Sequence, residues 1–193
     1  MVDHENSYYK GVVQEKKMAK ARRNLLAGRL AEHLVCAELS RLGLIATTFT
    51  HNVPVYDVLA TDEECRTVPI QVKATRDKYW RTSATDWMNI NRIKEEQIQK
   101  FEGRKELSPL NPVWVCVAIG EHRVDDQFFI MTQYNLQEIL IKNYTQELDR
   151  LGGKRPKNWE AVDCWWSTED VGIYRDNWQT IVDRLTETAP DAS

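Results

Sequence analysis

Three motifs in the first half of the chain carry most of the information about its fold: GRLAEHLVCAELSRLG at residues 28–43, PVYDVLA at 54–60 and IQVKAT at 70–75. Around the first motif, apolar residues recur at the spacing of one helix face from residue 24 to 42, and Gly43 follows where helices commonly end. The predicted stripe consists of Leu26, Ala27, Leu30, Ala31, Leu34, Val35, Leu39 and Leu42. This motif therefore predicts one long helix that buries one face.

The segments that follow this helix predict strands, because they are short and rich in β-branched and aromatic residues. They cover residues 45–51, 55–61 and 67–74. The polar connection at 61–66 is short enough to be a hairpin loop between the second and third strands.

The second half of the chain is predicted to complete a sheet and to cover it with helices. Four residues have helical spacing: Ile90, Ile93, Ile98 and Phe101. The unbroken apolar run at 113–119 is typical of a strand buried on both faces. Further elements are a strand at 128–131 and helices at about 136–151 and 177–185. The resulting order of helix, three strands, helix, two strands and helices predicts a mixed α/β domain with a central sheet.

Length and composition favour one soluble domain. A chain of 193 residues with 42% hydrophobic and 28% charged residues can bury about one core. No apolar run approaches the roughly 18 residues of a membrane helix, and the first ten residues lack the apolar stretch of a signal peptide. The four cysteines include no C-x-x-C pair, so neither a disulfide framework nor a zinc knuckle is predicted. We expect a cytoplasmic protein without a membrane partner.

Charge is distributed unevenly along the chain, although the net charge is only −3. Residues 10–29 hold seven Lys or Arg against one acid, whereas residues 158–193 hold eight acids against two Arg. We therefore divide the chain into a basic N-terminal arm at 1–23 and a single domain at 24–193, with a helical extension from about 135 to 186. The basic run is expected to contact a polyanion without selecting its sequence, or else to be only solvated surface.

Three polar residues on two neighbouring strands form the candidate site. Gln71 and Lys73 project from the same face because they are two residues apart, and Asp57 lies on the strand across the hairpin loop. A lysine on a strand fit for burial needs an anion, either Asp57 or a substrate phosphate. A carboxylate, one amide oxygen and one backbone carbonyl would hold Mg²⁺ with several waters. This set favours phosphodiester cleavage; the simpler alternative is a cross-strand ion pair between Asp57 and Lys73.

As a whole, the segment from Gly28 to Thr75, about 48 residues, resembles the PD-(D/E)XK nuclease superfamily, which has the restriction endonuclease-like fold. The similarity is to its branch of group I intron homing endonuclease-like and Holliday junction resolvase-like proteins. The resemblance implies an αβββαβ core, in which helices flank a central mixed sheet. It also implies a metal-dependent endodeoxyribonuclease that uses Mg²⁺, accepts Mn²⁺ and acts on DNA. A homodimer would suit duplex cleavage, because one site cuts one strand.

Carried over residue by residue, the resemblance implies a role for each polar group of these motifs. Asp57 would be the metal-binding aspartate, with the backbone carbonyl of Val72 as a further ligand. Gln71 occupies the position of the second acid, and Lys73 would be the catalytic lysine. Glu32, on the helix, would bind or orient the metal through water.

The chain departs from the superfamily pattern at Gln71, where an amide replaces the expected acid and weakens the attraction for a cation. The alternative is therefore a nuclease-fold protein with little or no turnover that binds DNA or another protein. Glu38 is a nearby rival to Glu32 on the same helix. His51 and Asn52, just before the second strand, are weaker candidates for the same site.

The residues expected to contact DNA are basic or aromatic. The basic group consists of Lys16, Lys17, Arg22, Arg23, Arg29, Arg76 and Lys78. Trp80 and Trp87 lie among basic residues and are candidates for stacking on bases, the alternative being that they belong to the core.

Overall fold

The computed structural model of the protein describes residues 3–50 and 55–187; within the first 20 residues, Met18 is the one whose side chain it describes. Three helices and nine strands are found there. The helices are α1 (Asp3–Arg41), α2 (Gln133–Arg150) and α3 (Gln179–Glu187). The strands are β1 (Ile45–Thr48), β2 (Val58–Thr61), β3 (Thr67–Thr75), β4 (Tyr79–Ser83), β5 (Met88–Ile93), β6 (Ile98–Arg104), β7 (Val113–Ala118), β8 (Gln127–Thr132) and β9 (Asp163–Ser167).

A five-stranded mixed sheet in the order β1-β2-β3-β7-β8 forms the centre of the fold. Strands β3 and β7 are parallel, and the other neighbours are antiparallel. On β7, Val113, Val115 and Val117 join a core with α1 and α3, whereas Cys116 joins a second core with α2, β4 and β9. Both faces of the sheet are thus covered, so the predicted mixed α/β fold with helices flanking a central mixed sheet is confirmed.

Helix α1 packs on the sheet through small side chains. Its fully or almost fully buried residues are Ala27, Ala31, Val35 and Leu39, whereas Leu26 and Leu30 of the predicted stripe are 57% and 39% exposed. The helix also begins at Asp3 instead of residue 24. It ends at Arg41, and Gly43, the predicted stop signal, follows with a φ of +81°. There the Leu44 N–H donates to the Leu39 carbonyl and the Gly43 N–H to the Ser40 carbonyl, both at 3.1 Å, which is the Schellman arrangement.

The hairpin predicted between the second and third strands is confirmed, and β2 pairs with β3 antiparallel from Val58 opposite Ile70 to Thr61 opposite Thr67. Asp62 organises its loop, because its side chain accepts hydrogen bonds from the N–H groups of Glu64 at 3.1 Å and Arg66 at 2.9 Å. At the other end, β2 begins one residue after Asp57, later than predicted. The Asp57 N–H still donates to the Ile70 carbonyl at 2.8 Å, so this residue continues the ladder.

The helix predicted from Ile90 to Phe101 is wrong, because β5 and β6 form an antiparallel hairpin there. The apolar spacing resembles that of a helix, but Gln97 has a φ of +52°, which turns the chain. Gln99 is 1% exposed, and its amide donates to the carbonyls of Trp159 and Ala161, far along the chain. Long-range contacts therefore override the local pattern.

Two further strands, β4 and β9, were not predicted, and they pair with each other. The chain between β3 and β7 thus holds β4 and the β5–β6 hairpin, where the second helix of an αβββαβ order was expected. Helix α2, which follows β8, covers that face of the sheet instead. Strand β9 also interrupts the region predicted as a helical extension. No helix in the described part of the chain combines the length and apolarity needed to cross a membrane.

Candidate active site

The Asp57 carboxylate lies beside the part of β3 that extends past its pairing with β2. Its Oδ2 accepts a hydrogen bond from the Val72 N–H at 2.8 Å and another from the side-chain amide of Gln71. Burial raises the pKa of Asp57, and the nearby negative charge of Glu32 raises it further, against the lowering effects of the Val72 hydrogen bond, Lys73 and Arg29. The Gln71 amide therefore acts as a donor to a carboxylate that is partly removed from water, a role that glutamate could not fill when ionised.

Strand geometry places the Val72 carbonyl on the same side. The N–H and C=O groups of one strand residue point towards the same neighbouring strand, and the Val72 N–H points at Asp57. Because β2 pairs with β3 only from Thr67 to Ile70, it supplies no ladder partner opposite Val72. Among the described residues, β2 thus leaves the Val72 carbonyl oxygen without a ladder partner next to Asp57.

Glu32 reaches the same region from α1. Its side chain is 13% exposed, and Oε2 accepts a hydrogen bond from Arg29 Nη1 at 2.9 Å. The same nitrogen donates to the Phe49 carbonyl at 3.1 Å, which ties this part of α1 to the segment after β1. Arg29 therefore orients Glu32, although the sequence suggested that it contacts phosphate.

The rival carboxylate, Glu38, lies elsewhere on α1. It pairs with Arg41 at 2.5 Å and lines a separate cleft with Phe128 and Trp178. The charge that acts on Asp57 is that of Glu32. The structure therefore brings Glu32 close to Asp57 and keeps Glu38 apart.

Lys73 follows Gln71 on the same face of β3, and its position is held by the Trp80 indole, which donates to its carbonyl at 2.9 Å. The simpler alternative of an ion pair with Asp57 is not found: Lys73 makes no ion pair with a carboxylate of the described residues, although its charge still lowers the pKa of Asp57. Cys116 lies opposite on β7, and burial raises the pKa of its thiol to about 12. That thiol is therefore neutral and does not compensate the ammonium.

Two clefts meet at Lys73 and differ in charge. The first, of about 540 Å³, lies between α1 and β4, and Asp77 is its one acid among the described residues. The basic side chains that line it are Arg23, Lys73, Arg76 and Arg81. The second, of about 490 Å³, has three acids, Asp86, Glu160 and Asp163. An anionic chain that reaches Lys73 is therefore favoured along the first cleft, which we call the basic cleft.

The residues predicted to contact DNA have different positions. Arg23 and Arg76 line the basic cleft, whereas Arg22 and Lys78 are exposed and do not line it. The remaining candidates lie outside the described residues or side chains: Lys16, Lys17, His51 and Asn52.

The prediction that Trp80 and Trp87 stack on bases is wrong, since these side chains are only 2% and 4% exposed and belong to the core. Trp80 stacks on Trp166 with ring centroids 6.0 Å apart, and Trp87 meets Trp114 edge-on at 5.0 Å. Sequence reasoning missed Trp165, which is 49% exposed and lines the basic cleft. Alternation within β9 is the signal that could have found it, because two adjacent tryptophans on a strand point to opposite faces.

The donors around Asp57 decide whether a metal ion could bind at this site. Among the described residues no group of three or more His, Cys, Asp or Glu is placed to hold a metal ion. The available donors are instead the Asp57 and Glu32 carboxylates, the Gln71 amide and the Val72 carbonyl. Such all-oxygen donors suit Mg²⁺, which binds few protein ligands and keeps several waters, and a cation would relieve the repulsion between the two carboxylates. The residues present fit this ion.

Comparisons with known proteins found similarity at the level of structure. No protein-family model and no curated protein matches the sequence. The bacterial homing endonuclease I-Ssp6803I is matched with a TM-score of 0.47 at 12% identity, over 84% of this chain and 95% of that one. The Holliday junction resolvase Hjc of Archaeoglobus fulgidus is matched with a TM-score of 0.39 at 12% identity, over 79% of this chain and 93% of that one. The first of these proteins is named an endonuclease and the second a resolvase.

Proposed function

We propose that the protein is a metal-dependent endodeoxyribonuclease of the PD-(D/E)XK superfamily that hydrolyses phosphodiester bonds in DNA. The observation that carries the proposal is the convergence of Asp57, Gln71 and the Val72 backbone where β3 extends beyond its pairing with β2. The charge of Glu32 acts on the same carboxylate, and Lys73 lies next to it at the end of a basic cleft.

The proposed chemistry divides the work between these groups. A bound Mg²⁺ or Mn²⁺ would polarise the scissile phosphate and make a bound water more acidic. Asp57, the Gln71 amide oxygen and the Val72 carbonyl would hold the ion, and Glu32 would orient its water. Lys73 has no competing ion pair among the described residues, so its ammonium is free to stabilise negative charge that develops on the phosphate.

Cleavage assays test the proposal directly. Purified protein is incubated with plasmid, branched and single-stranded DNA in EDTA, Mg²⁺ or Mn²⁺. We expect cleavage only with a divalent cation, with a loss of at least about 100-fold in rate for Asp57→Asn and for Lys73→Ala. Binding of DNA by Lys73→Ala should remain within a few-fold, since this residue is proposed to act on the transition state.

A matched control separates chemistry from structure. Glu32→Gln should also lose cleavage, whereas Glu38→Gln should not, although each glutamate belongs to α1 and pairs with an arginine three residues away. Wild-type rates for Asp57→Asn and Lys73→Ala would contradict the nuclease assignment.

Gln71 favours a second candidate, a nuclease-fold protein that binds DNA or another protein without turnover. The amide leaves only two carboxylates at the site and already serves Asp57 as a donor. DNA binding without cleavage in Mg²⁺ and Mn²⁺ would support this candidate. For an active enzyme we further propose a homodimer, because duplex cleavage needs two sites, and sedimentation with and without duplex DNA measures the state.

A further inference from the structure

The β4–β9 ribbon separates its side chains sharply into a buried and an exposed face. In its register Trp80 lies opposite Trp166, and Arg81 lies opposite Trp165. The first pair belongs to the core, at 2% and 1% exposure. The alternate residues point outwards, so that Tyr79 is 58% and Trp165 is 49% exposed. Two large aromatic side chains therefore stand on the outer face of a rigidly anchored ribbon.

The indole of Trp165 is held in position from one side. The Arg81 guanidinium lies 5.4 Å from the ring centroid and also 3.4 Å from the Asp163 carboxylate. The Asn143 side chain donates to the Trp165 carbonyl at 3.2 Å. The ring is therefore positioned before any ligand arrives, while about half of the residue remains open to solvent.

The location of this aromatic pair suggests what it binds. Tyr79 and Trp165 line the basic cleft together with Lys73, the proposed catalytic residue. Arg23 and Arg76 line the same cleft, so cations surround the aromatic rings. Alternating cationic and aromatic side chains are the features with which proteins hold single-stranded nucleic acid, the cations on phosphates and the rings on base faces.

We infer that Tyr79, Arg81 and Trp165 bind an unpaired nucleotide next to the cleavage site, so that the substrate is DNA with a single-stranded or unpaired segment. This inference rests on the proposed nuclease function for the position of the cut, but not for the binding itself. Bases within a continuous duplex are stacked on their neighbours and cannot present a face to a ring. An uninterrupted duplex would therefore use only the cations of the cleft.

A similar pair elsewhere provides the matched control. The Arg104 guanidinium lies 5.3 Å from the ring centroid of Tyr134, which is 53% exposed. Neither residue lines the basic cleft. An exposed aromatic ring next to an arginine does not by itself define a nucleotide-binding site. Trp165 differs from Tyr134 because it lines the same cleft as Lys73.

The experiment measures binding in EDTA, so that cleavage does not interfere. Two DNA probes of equal total phosphate count carry 2-aminopurine, one within a continuous duplex and one in a short single-stranded extension. We expect wild-type protein to bind the extended probe about tenfold more tightly and to quench its fluorescence by stacking. Trp165→Ala should lose the preference and the quenching, whereas Trp165→Phe should retain most of both. Tyr134→Ala should match wild type, and circular dichroism checks that each variant is folded.

The outcomes separate this inference from the proposed function. Equal affinity of wild-type protein for both probes, or an unchanged preference in Trp165→Ala, would overturn the inference even if metal-dependent duplex cleavage is found. Preference and quenching that depend on Trp165, without cleavage of any substrate, would support the base-binding site and refute the nuclease. Failure of both probes to bind would overturn the inference in favour of a protein ligand for the cleft.

Discussion

Replacing Gln71 by glutamate tests the electrostatic design of the site most directly. The substitution removes the amide that donates to Asp57 Oδ2 and puts a carboxylate in its place. Two unit charges about 4 Å apart repel by about 4 kcal/mol at an effective dielectric constant of about 20. Because the site is only half-buried, solvent screening reduces this figure, and we expect a loss of about 1–2 kcal/mol in the free energy of unfolding at neutral pH without metal.

The sign of the pH dependence follows from proton binding. In Gln71→Glu, the introduced carboxylate would share a proton with Asp57, whose pKa burial already raises, at a pH where the unfolded chain has released it. Protons therefore bind more strongly to the native state, so the stability of Gln71→Glu relative to wild type falls as pH rises through the raised pKa of this cluster. At low pH, where all carboxylates are protonated in both states, the difference disappears.

Divalent cations should reverse the effect. Glutamate supplies a charged oxygen to the ion, so Mg²⁺ should bind Gln71→Glu more tightly than wild type. Mg²⁺ at about 100 times its dissociation constant stabilises a protein by about 2.7 kcal/mol. Thermal unfolding between pH 4 and 8, with EDTA or Mg²⁺, measures both effects, and a change of 1 kcal/mol shifts the midpoint by about 2–4 °C in a protein of this size.

Gln179→Glu provides the control, since the Gln179 amide also donates to an aspartate, Asp183, at 2.8 Å, but on the exposed side of α3. We expect its stability to change by less than about 0.5 kcal/mol and to be independent of Mg²⁺. The reasoning is refuted if Gln71→Glu unfolds at the wild-type temperature in EDTA and responds to Mg²⁺ no more than Gln179→Glu does.

Three further predictions concern other parts of the molecule. Glu32→Gln should lower the pKa of Asp57, because it removes a nearby negative charge. Any residual cleavage by this variant should therefore persist to lower pH than cleavage by the wild type. The pH profile of Glu38→Gln should be unchanged. Gly43→Ala should destabilise by about 1 kcal/mol in chemical denaturation, because its φ of +81° disfavours a side chain, whereas Gly28→Ala within α1 should be neutral or stabilising. A variant with alanine at Lys16, Lys17, Arg22 and Arg23 tests whether the basic run contacts phosphates. If it does, the slope of the logarithm of the duplex-DNA binding constant against log salt should flatten by roughly two to four. An unchanged slope in the folded variant would assign these four residues to solvated surface.

The features that the sequence determined by itself are local. Gly43 ends α1 because the left-handed turn it adopts disfavours other residues. The Asp62 loop joins two neighbouring strands as the predicted hairpin, and the period of two along β3 is enough to place Gln71 and Lys73 on one face. The proximity of Asp57 follows from the same hairpin, so these three positions could be grouped without knowledge of the tertiary structure.

Other features depended on contacts between distant segments. The spacing from Ile90 to Phe101 fits a helix, but Gln99 forms hydrogen bonds with carbonyls some 60 residues away. Helix α1 buries the face that carries Ala27, Ala31, Val35 and Leu39 and leaves Leu26 exposed. The period of the apolar residues predicts a helix with one apolar side, but it does not tell which residues of that side pack against the sheet.

The candidate site and the neighbouring basic cleft also combine features that the sequence predicts with features that only the tertiary structure decides. Glu32 could be picked from its motif, whereas its pair with Arg29, which also ties α1 to the segment after β1 through the Phe49 carbonyl, was not predicted. Trp80 and Trp165 are equally aromatic in the sequence, yet one is buried and the other open, because β4 and β9 pair although they lie far apart along the chain. Periodicity relates a side chain only to its own strand, and which face meets water is decided by what packs against that strand.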